Sequence, residues 1–168
     1  MTKLLLSVHV LAAILAIGPI AVAASLFPRF ARGPGREHLP AIAGGDQEPG
    51  GRKSSAIAAF LHRVCRGYAV VGLAVPVFGL ATGAQLGVLG DAWLITSIAL
   101  TAIAAALLAL AILPTQQRLL APPDDAAVTE NTRAAAAARL AMTTGIFNLL
   151  WAIVVILMIV RPGSTTGA

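Results

Sequence analysis

The sequence predicts an all-α, polytopic membrane bundle of four transmembrane helices, and three observations carry that reading. The 168 residues are 58% hydrophobic and only 11% charged, against about 25% charged in an ordinary soluble domain. Four apolar runs, residues 4–27, 68–89, 93–113 and 140–160, are each about 20 residues or longer, enough to cross a hydrocarbon core about 30 Å thick. All Asp, Glu, Lys and Arg residues fall outside those runs. Residues 1–168 therefore read as a single integral membrane domain.

Span one opens after Lys3 and holds Gly18-Pro19, where a kink is expected. Its Ala21-Val22-Ala23 has the look of a leader-cleavage site. The apolar run continues to Phe27, however, and Arg29 and Arg32 follow at once, so an uncleaved span is expected. In the loop of residues 28–67, the Gly- and Pro-rich stretch 33–51 cannot bury a core and reads as flexible. From Ser54 the pattern turns helical, with Ser54 or Ser55 as N-cap. Ala56, Ile57, Phe60, Leu61 and Val64 form an apolar stripe, with His62, Arg63 and Arg66 beside it. Such a helix either lies on the membrane surface or runs straight into span two.

Span two is the element the others are expected to pack on. Gly79, Gly83 and Gly87 recur at a spacing of four, with Gly72 two turns earlier on the same side. Residues four apart share a helix face, so the glycines make a groove for close helix approach, the small-xxx-small surface of membrane helices. Pro76 should kink this span. Only residues 90–92 separate spans two and three, which forces an antiparallel hairpin. In the segment 114–139, Pro122-Pro123-Asp124-Asp125 ends one piece and starts another. A long helix is expected from Ala126 through the alanine run 134–138 into span four, with Asp124 and Asp125 at its positive end.

The formal net charge is +5, with almost no aromatics among the basic residues, so nucleic acid is not an expected partner. With four spans, the two long loops share a side. They hold Arg29, Arg32, Arg36, Arg52, Lys53, Arg63, Arg66, Arg118, Arg133 and Arg139; the other side holds only Lys3 and Arg161. By the positive-inside rule the loops 28–67 and 114–139 are cytoplasmic and both termini extracytoplasmic. The basic residues can also contact anionic lipid. The Gly, Ala and Arg richness hints at a high-GC bacterium, which places the protein in the inner (plasma) membrane.

Candidates for chemistry are few. His9 lies about one turn inside span one, on the face of Ala12, Ala13 and Ala16. It is either a neutral histidine bonded to a neighbouring helix or a haem, metal or proton site. His62 belongs near the opposite membrane surface, on the order of 25–30 Å away, so the two cannot share one haem iron. His38 lies in the flexible loop. Asn148 with Thr144 in span four, and Ser97 with Thr101 in span three, read as interhelical packing bonds. Cys65, the one cysteine, sits at the cytoplasmic interface as an inert thiol or an acylation site. Trp93 reads as an interfacial anchor and Trp151 as a packing residue. No Ser/His/Asp set, carboxylate pair, phosphate loop or metal cage is visible, and no catalytic residue is assigned.

The opening LLLSVHVLAAILAIGPIAVAASLFPRFAR and the segment LHRVCRGYAVVGLAVPVFGLATG resemble an uncharacterised family of bacterial predicted four-helix integral membrane proteins. More remotely, the histidine followed by small residues is similar to the first helix of the copper-resistance D and protoporphyrinogen-oxidase-like membrane families. In those, intramembrane histidines imply copper or haem. This chain has only His9 at a matching position and lacks the further intramembrane histidines. The expected function is a small non-enzymatic accessory or packing subunit, partnered by lipid and by other membrane subunits or itself, with no cofactor. The alternatives are a haem- or copper-linked redox protein using His9 and a small solute transporter.

Overall fold

The computed structural model describes residues 2–31, 49–121 and 130–163. The loop calls at Arg32, Arg36 and His38 and the helix start at Asp124, Asp125 and Ala126 lie outside them. The described chain is helical throughout: α1 (Thr2–Ala31), α2 (Pro49–Gly72), α3 (Ala74–Leu86), α4 (Ala92–Ala106), a π-helical turn (Leu107–Ile112), α5 (Leu113–Leu120) and α6 (Glu130–Val160). Four stretches are long and apolar enough to cross a membrane: Leu4–Ala31, Lys53–Leu86, Ala92–Leu120 and Asn131–Val160. The protein is an all-α, four-span membrane bundle.

The spans are longer than the apolar runs, because helices that leave hydrocarbon need not stop there. The second span starts before the expected loop ends. Pro49 opens α2, a position where its missing N–H costs nothing. Ser54 and Ser55 are therefore inside the helix rather than at its N-cap, and residues 49–51 are helical rather than loop. The stripe expected on this segment is also corrected. Ala58, Leu61, His62 and Cys65 are buried, while Ile57 and Phe60 are exposed. Large apolar side chains are free to face lipid, and the small or polar ones turn inward.

Prolines shape two of the spans. Pro76 has no N–H for the Gly72 carbonyl and its ring crowds that turn. The helix breaks there: α2 ends at Gly72, and the Leu73 N–H makes a shorter-range bond to Val70 O at 3.2 Å. Pro114, which would likewise crowd the Leu110 carbonyl, is preceded by the π turn, in which the Leu113 N–H reaches Leu108 O. The helix continues through Pro114 to Leu120, so the third span does not stop at Leu113 as expected.

Gly87 closes the second span rather than lying within it. At φ +70° it takes the left-handed conformation that glycine adopts without a Cβ penalty. The Gly87 N–H then bonds Ala84 O at 3.2 Å and the Val88 N–H bonds Gly83 O at 3.1 Å, satisfying the last carbonyls of α3. A turn from Val88 to Asp91 starts α4. Spans two and three are antiparallel, yet α3 packs mainly on α1, and α4 mainly on α6.

Two apolar clusters hold the bundle. The larger joins Ile20, Ala23, Ala24 and Phe27 of α1 with Ala58, Leu61 and Cys65 of α2, Leu108, Ile112 and Leu119 of the third span, and Ala137, Leu140 and Phe147 of α6. The smaller lies at the end with the Gly87 turn: Val88, Trp93 and Leu94, with Met158 against them. There the Trp93 indole N–H donates to Asp91 Oδ2 at 3.0 Å, and the Arg161 guanidinium lies 5.7 Å from the Trp93 ring centroid. This ties the end of span four to the start of span three.

The glycines of span two admit side chains, not a neighbouring backbone. A Cβ on Gly83 would stand 2.9 Å from Leu94 Cδ2 and 3.2 Å from Leu89 Cδ2; one on Gly72 would meet Ile20 Cδ1 at 3.8 Å. Gly83→Leu is expected to lower bundle stability by about 1–3 kcal/mol through overpacking, while Gly67→Leu, where a Cβ meets nothing within 4 Å, should change it little. Thermal unfolding in detergent reads both.

Candidate functional site

The most enclosed polar cluster lies at the end of the bundle opposite the Gly87 turn. His62 and Cys65 are three apart on α2 and share its inner face. Gln116 comes from α5, one helical turn beyond buried Ile112 and in line with buried Leu119. His62 is 9% exposed, and Gln116 and Cys65 are fully buried. His62 Nδ1 donates to Gln116 Oε1 at 2.9 Å, and Gln116 Nε2 donates to Cys65 Sγ at 3.7 Å. Cys65 Sγ in turn lies 4.0 Å from the Ile20 carbonyl of α1. One glutamine side chain thus joins spans two and three, and the thiol extends the chain of contacts to span one. Of the two readings of Cys65, burial of the thiol agrees with the inert one.

His9 occupies a second polar position, toward the other end. It is half-buried, and its Nδ1 donates to the Val75 carbonyl at 3.0 Å. Its ring rests on Gly79, where a Cβ would stand 2.9 Å from Cε1 and 3.2 Å from Nδ1. A side chain at this position would have to displace the imidazole. Since Val75 and His62 are 13 residues apart on span two, the two histidines are separated by about 20 Å along the helix.

The remaining sequence candidates go separate ways. Ser97 and Thr101 bond carbonyls of their own helix, at Trp93 O (2.8 Å) and Ser97 O (2.7 Å). Among the described residues neither makes a bond to another span, so their hydroxyls are not the interhelical links expected of them. The reason is geometric: a helical hydroxyl reaches the carbonyl four residues back without any neighbour. Asn148 crosses between spans, its Nδ2 3.0 Å from Ser25 Oγ on α1. Thr144 is buried on the same face. Gly72, Gly79 and Gly83 lie along span two against Ile20, His9 and Leu94, and Gly87 is in the turn.

Sequence reasoning missed Gln116 and Ser25. The signal for Gln116 was the spacing of Ile112, Gln116 and Leu119, four and three apart, which continues one helix face across Pro114. For Ser25 there was only its place in an apolar run.

Among the described residues, no group of three or more His, Cys, Asp and Glu side chains is arranged to hold a metal ion. These residues offer no cage for copper. For haem they offer single imidazoles at two distant points, one axial ligand at each.

No family model matches the chain, and neither a curated protein nor a solved structure does.

Two predictions follow from the geometry. Gln116→Leu leaves the His62 N–H buried without an acceptor, a loss of about 1–3 kcal/mol; the double change His62→Leu/Gln116→Leu should lose less than the sum of the single changes. Gly79→Ala should displace the His9 ring and destabilise the fold by about 1–3 kcal/mol. In a His9→Ala background the same change should be nearly neutral, and thermal unfolding of the six variants against the parent checks both.

Proposed function

We propose that this protein is a small non-enzymatic subunit of a larger membrane complex, set in a bacterial inner membrane with both termini extracytoplasmic. What supports this reading is where the reactive side chains go. His9, His62, Cys65 and Gln116 all close on the chain's own helices, so they serve as fastenings rather than as an open catalytic set. The outward faces carry large apolar side chains such as Leu15, Val70, Leu110 and Ile159. In no span is more than 28% of the most apolar stretch buried inside the bundle. Such a thin bundle has more surface to share with neighbours than with itself.

The orientation rests on charge. Arg29, Lys53, Arg63, Arg66, Arg118 and Arg139 are exposed at the end opposite the Gly87 turn. Cations there favour the cytoplasmic side and suit anionic headgroups.

The test is the native mass of the complex, gently extracted from the source membrane. A larger protein present in fixed ratio is the expected result; the chain alone, as monomer or homo-oligomer, removes the accessory reading.

One observation favours a second reading. With Nδ1 donating to the Val75 carbonyl, neutral His9 keeps its lone pair on Nε2, the arrangement found in metal-ligating histidines. A haem-linked protein with His9 as its one axial ligand is the form this reading takes. Purified protein should then show a Soret band that His9→Ala abolishes; a colourless protein rules it out.

A further inference from the structure

Span four carries a line of polar atoms for which the helices provide no partner. Thr144 Oγ1, Asn148 Oδ1 and Trp151 Nε1 are buried and make no hydrogen bond among the described residues. Thr144 is only 1% exposed. The three residues are four and three apart, so they share one face of α6, the face from which Asn148 reaches Ser25 of α1.

The hydroxyl of Thr144 is the telling member. Thr82, Thr96, Ser97, Thr101 and Thr143 all donate to the carbonyl four residues back, at 2.7–2.9 Å. Thr144 has the same opportunity at Leu140 and does not take it. In a hydrocarbon surrounding, a buried polar atom without a partner is costly, and three in register on one face point to a shared occupant.

We propose that spans one and four enclose two ordered water molecules, one joining Thr144 to Asn148 and the other joining Asn148 to Trp151. The residues are close enough along the helix for a bridge. The backbone rises about 6 Å from Thr144 to Asn148 and about 4.5 Å from Asn148 to Trp151, and a water bonded at both sides spans roughly 5.5 Å. The donor and acceptor pattern suits it too. Indole N–H only donates, the amide oxygen only accepts and has two lone pairs, and the threonine hydroxyl does both. Asn148 Nδ2 is committed to Ser25, which turns Oδ1 toward the line. The first water exchanges a bond with Thr144 and donates to Asn148 Oδ1. The second accepts from the Trp151 N–H and donates to the same oxygen. Each water has two protein partners, the minimum such a site needs.

The experiment uses the full chain with 15N-labelled tryptophan in lipid nanodiscs. A cross-relaxation peak from long-lived water to the Trp151 Nε1–H is expected. The Trp93 indole, already bonded to Asp91, serves as the reference and should show none. No water peak at Trp151 overturns the proposal, and so does a peak from the protons of a co-purified molecule, which would make the occupant something else. Thr144→Val supplies an independent arm, since it keeps the side-chain shape and removes only the hydroxyl. With water bound, the variant should unfold at a lower temperature than the parent. An unchanged or higher midpoint overturns the proposal, because removing a truly unpaired hydroxyl is neutral or stabilising. Should Thr144→Val fail to assemble, the water peak in the parent protein still decides.

Discussion

Hydrocarbon offers no hydrogen bonds, so a polar group within the four spans is costly unless it is partnered inside the bundle. Helices meet that demand for the backbone, and prolines disturb it. Pro19, Pro76 and Pro114 each remove one N–H from the ladder. Three polar contacts between spans lie beside these prolines. His9 bonds the carbonyl of Val75, beside Pro76. Cys65 lies against the carbonyl of Ile20, beside Pro19. Gln116, two residues past Pro114, bonds His62 and Cys65. Spans two and three are each fastened to a neighbour near their proline, while Asn148 and Ser25 fasten spans four and one where both helices run unbroken.

Much of the architecture was legible because the class of solvent dictates it. Four uncharged runs of about 20 residues have few other uses, and a three-residue link between two of them leaves only an antiparallel path. The inward faces were not legible, for the same reason. In water, apolar residues mark the core; in lipid, both the core and the outside are apolar. Ile57 and Phe60 therefore look like a buried stripe and are exposed, while Ala58 and Cys65 are enclosed. Small residues were the better guide. Ala16, Ala23, Ala24, Ala58, Ala104 and Ala137 are all at most 2% exposed, since helices approach closely where side chains are short.

The candidate site was half visible. His9 stood out as an ionisable group in an apolar span, and Gly79 as part of a glycine series, but nothing in the spacing said that the one seats the other. That contact joins residues 70 positions apart and depends on how α1 lies across α3. Gln116 was hidden by its neighbourhood: the PTQQR segment reads as loop unless the helix is followed across Pro114. The π turn carries it across.

That turn has a bearing on which changes the protein can absorb. A π turn holds more residues per revolution than an α-helix, so Leu107–Ile112 acts as a phase adjuster for everything after it. Were the same residues wound as an ordinary α-helix, α5 would be turned by about 100° relative to α4. Gln116 would then swing away from His62. Point substitutions in this stretch of leucines and alanines alter packing locally. A change in how the stretch is wound alters which residues of the next segment face inward, so the inward face of α5 depends on this turn keeping its wider winding.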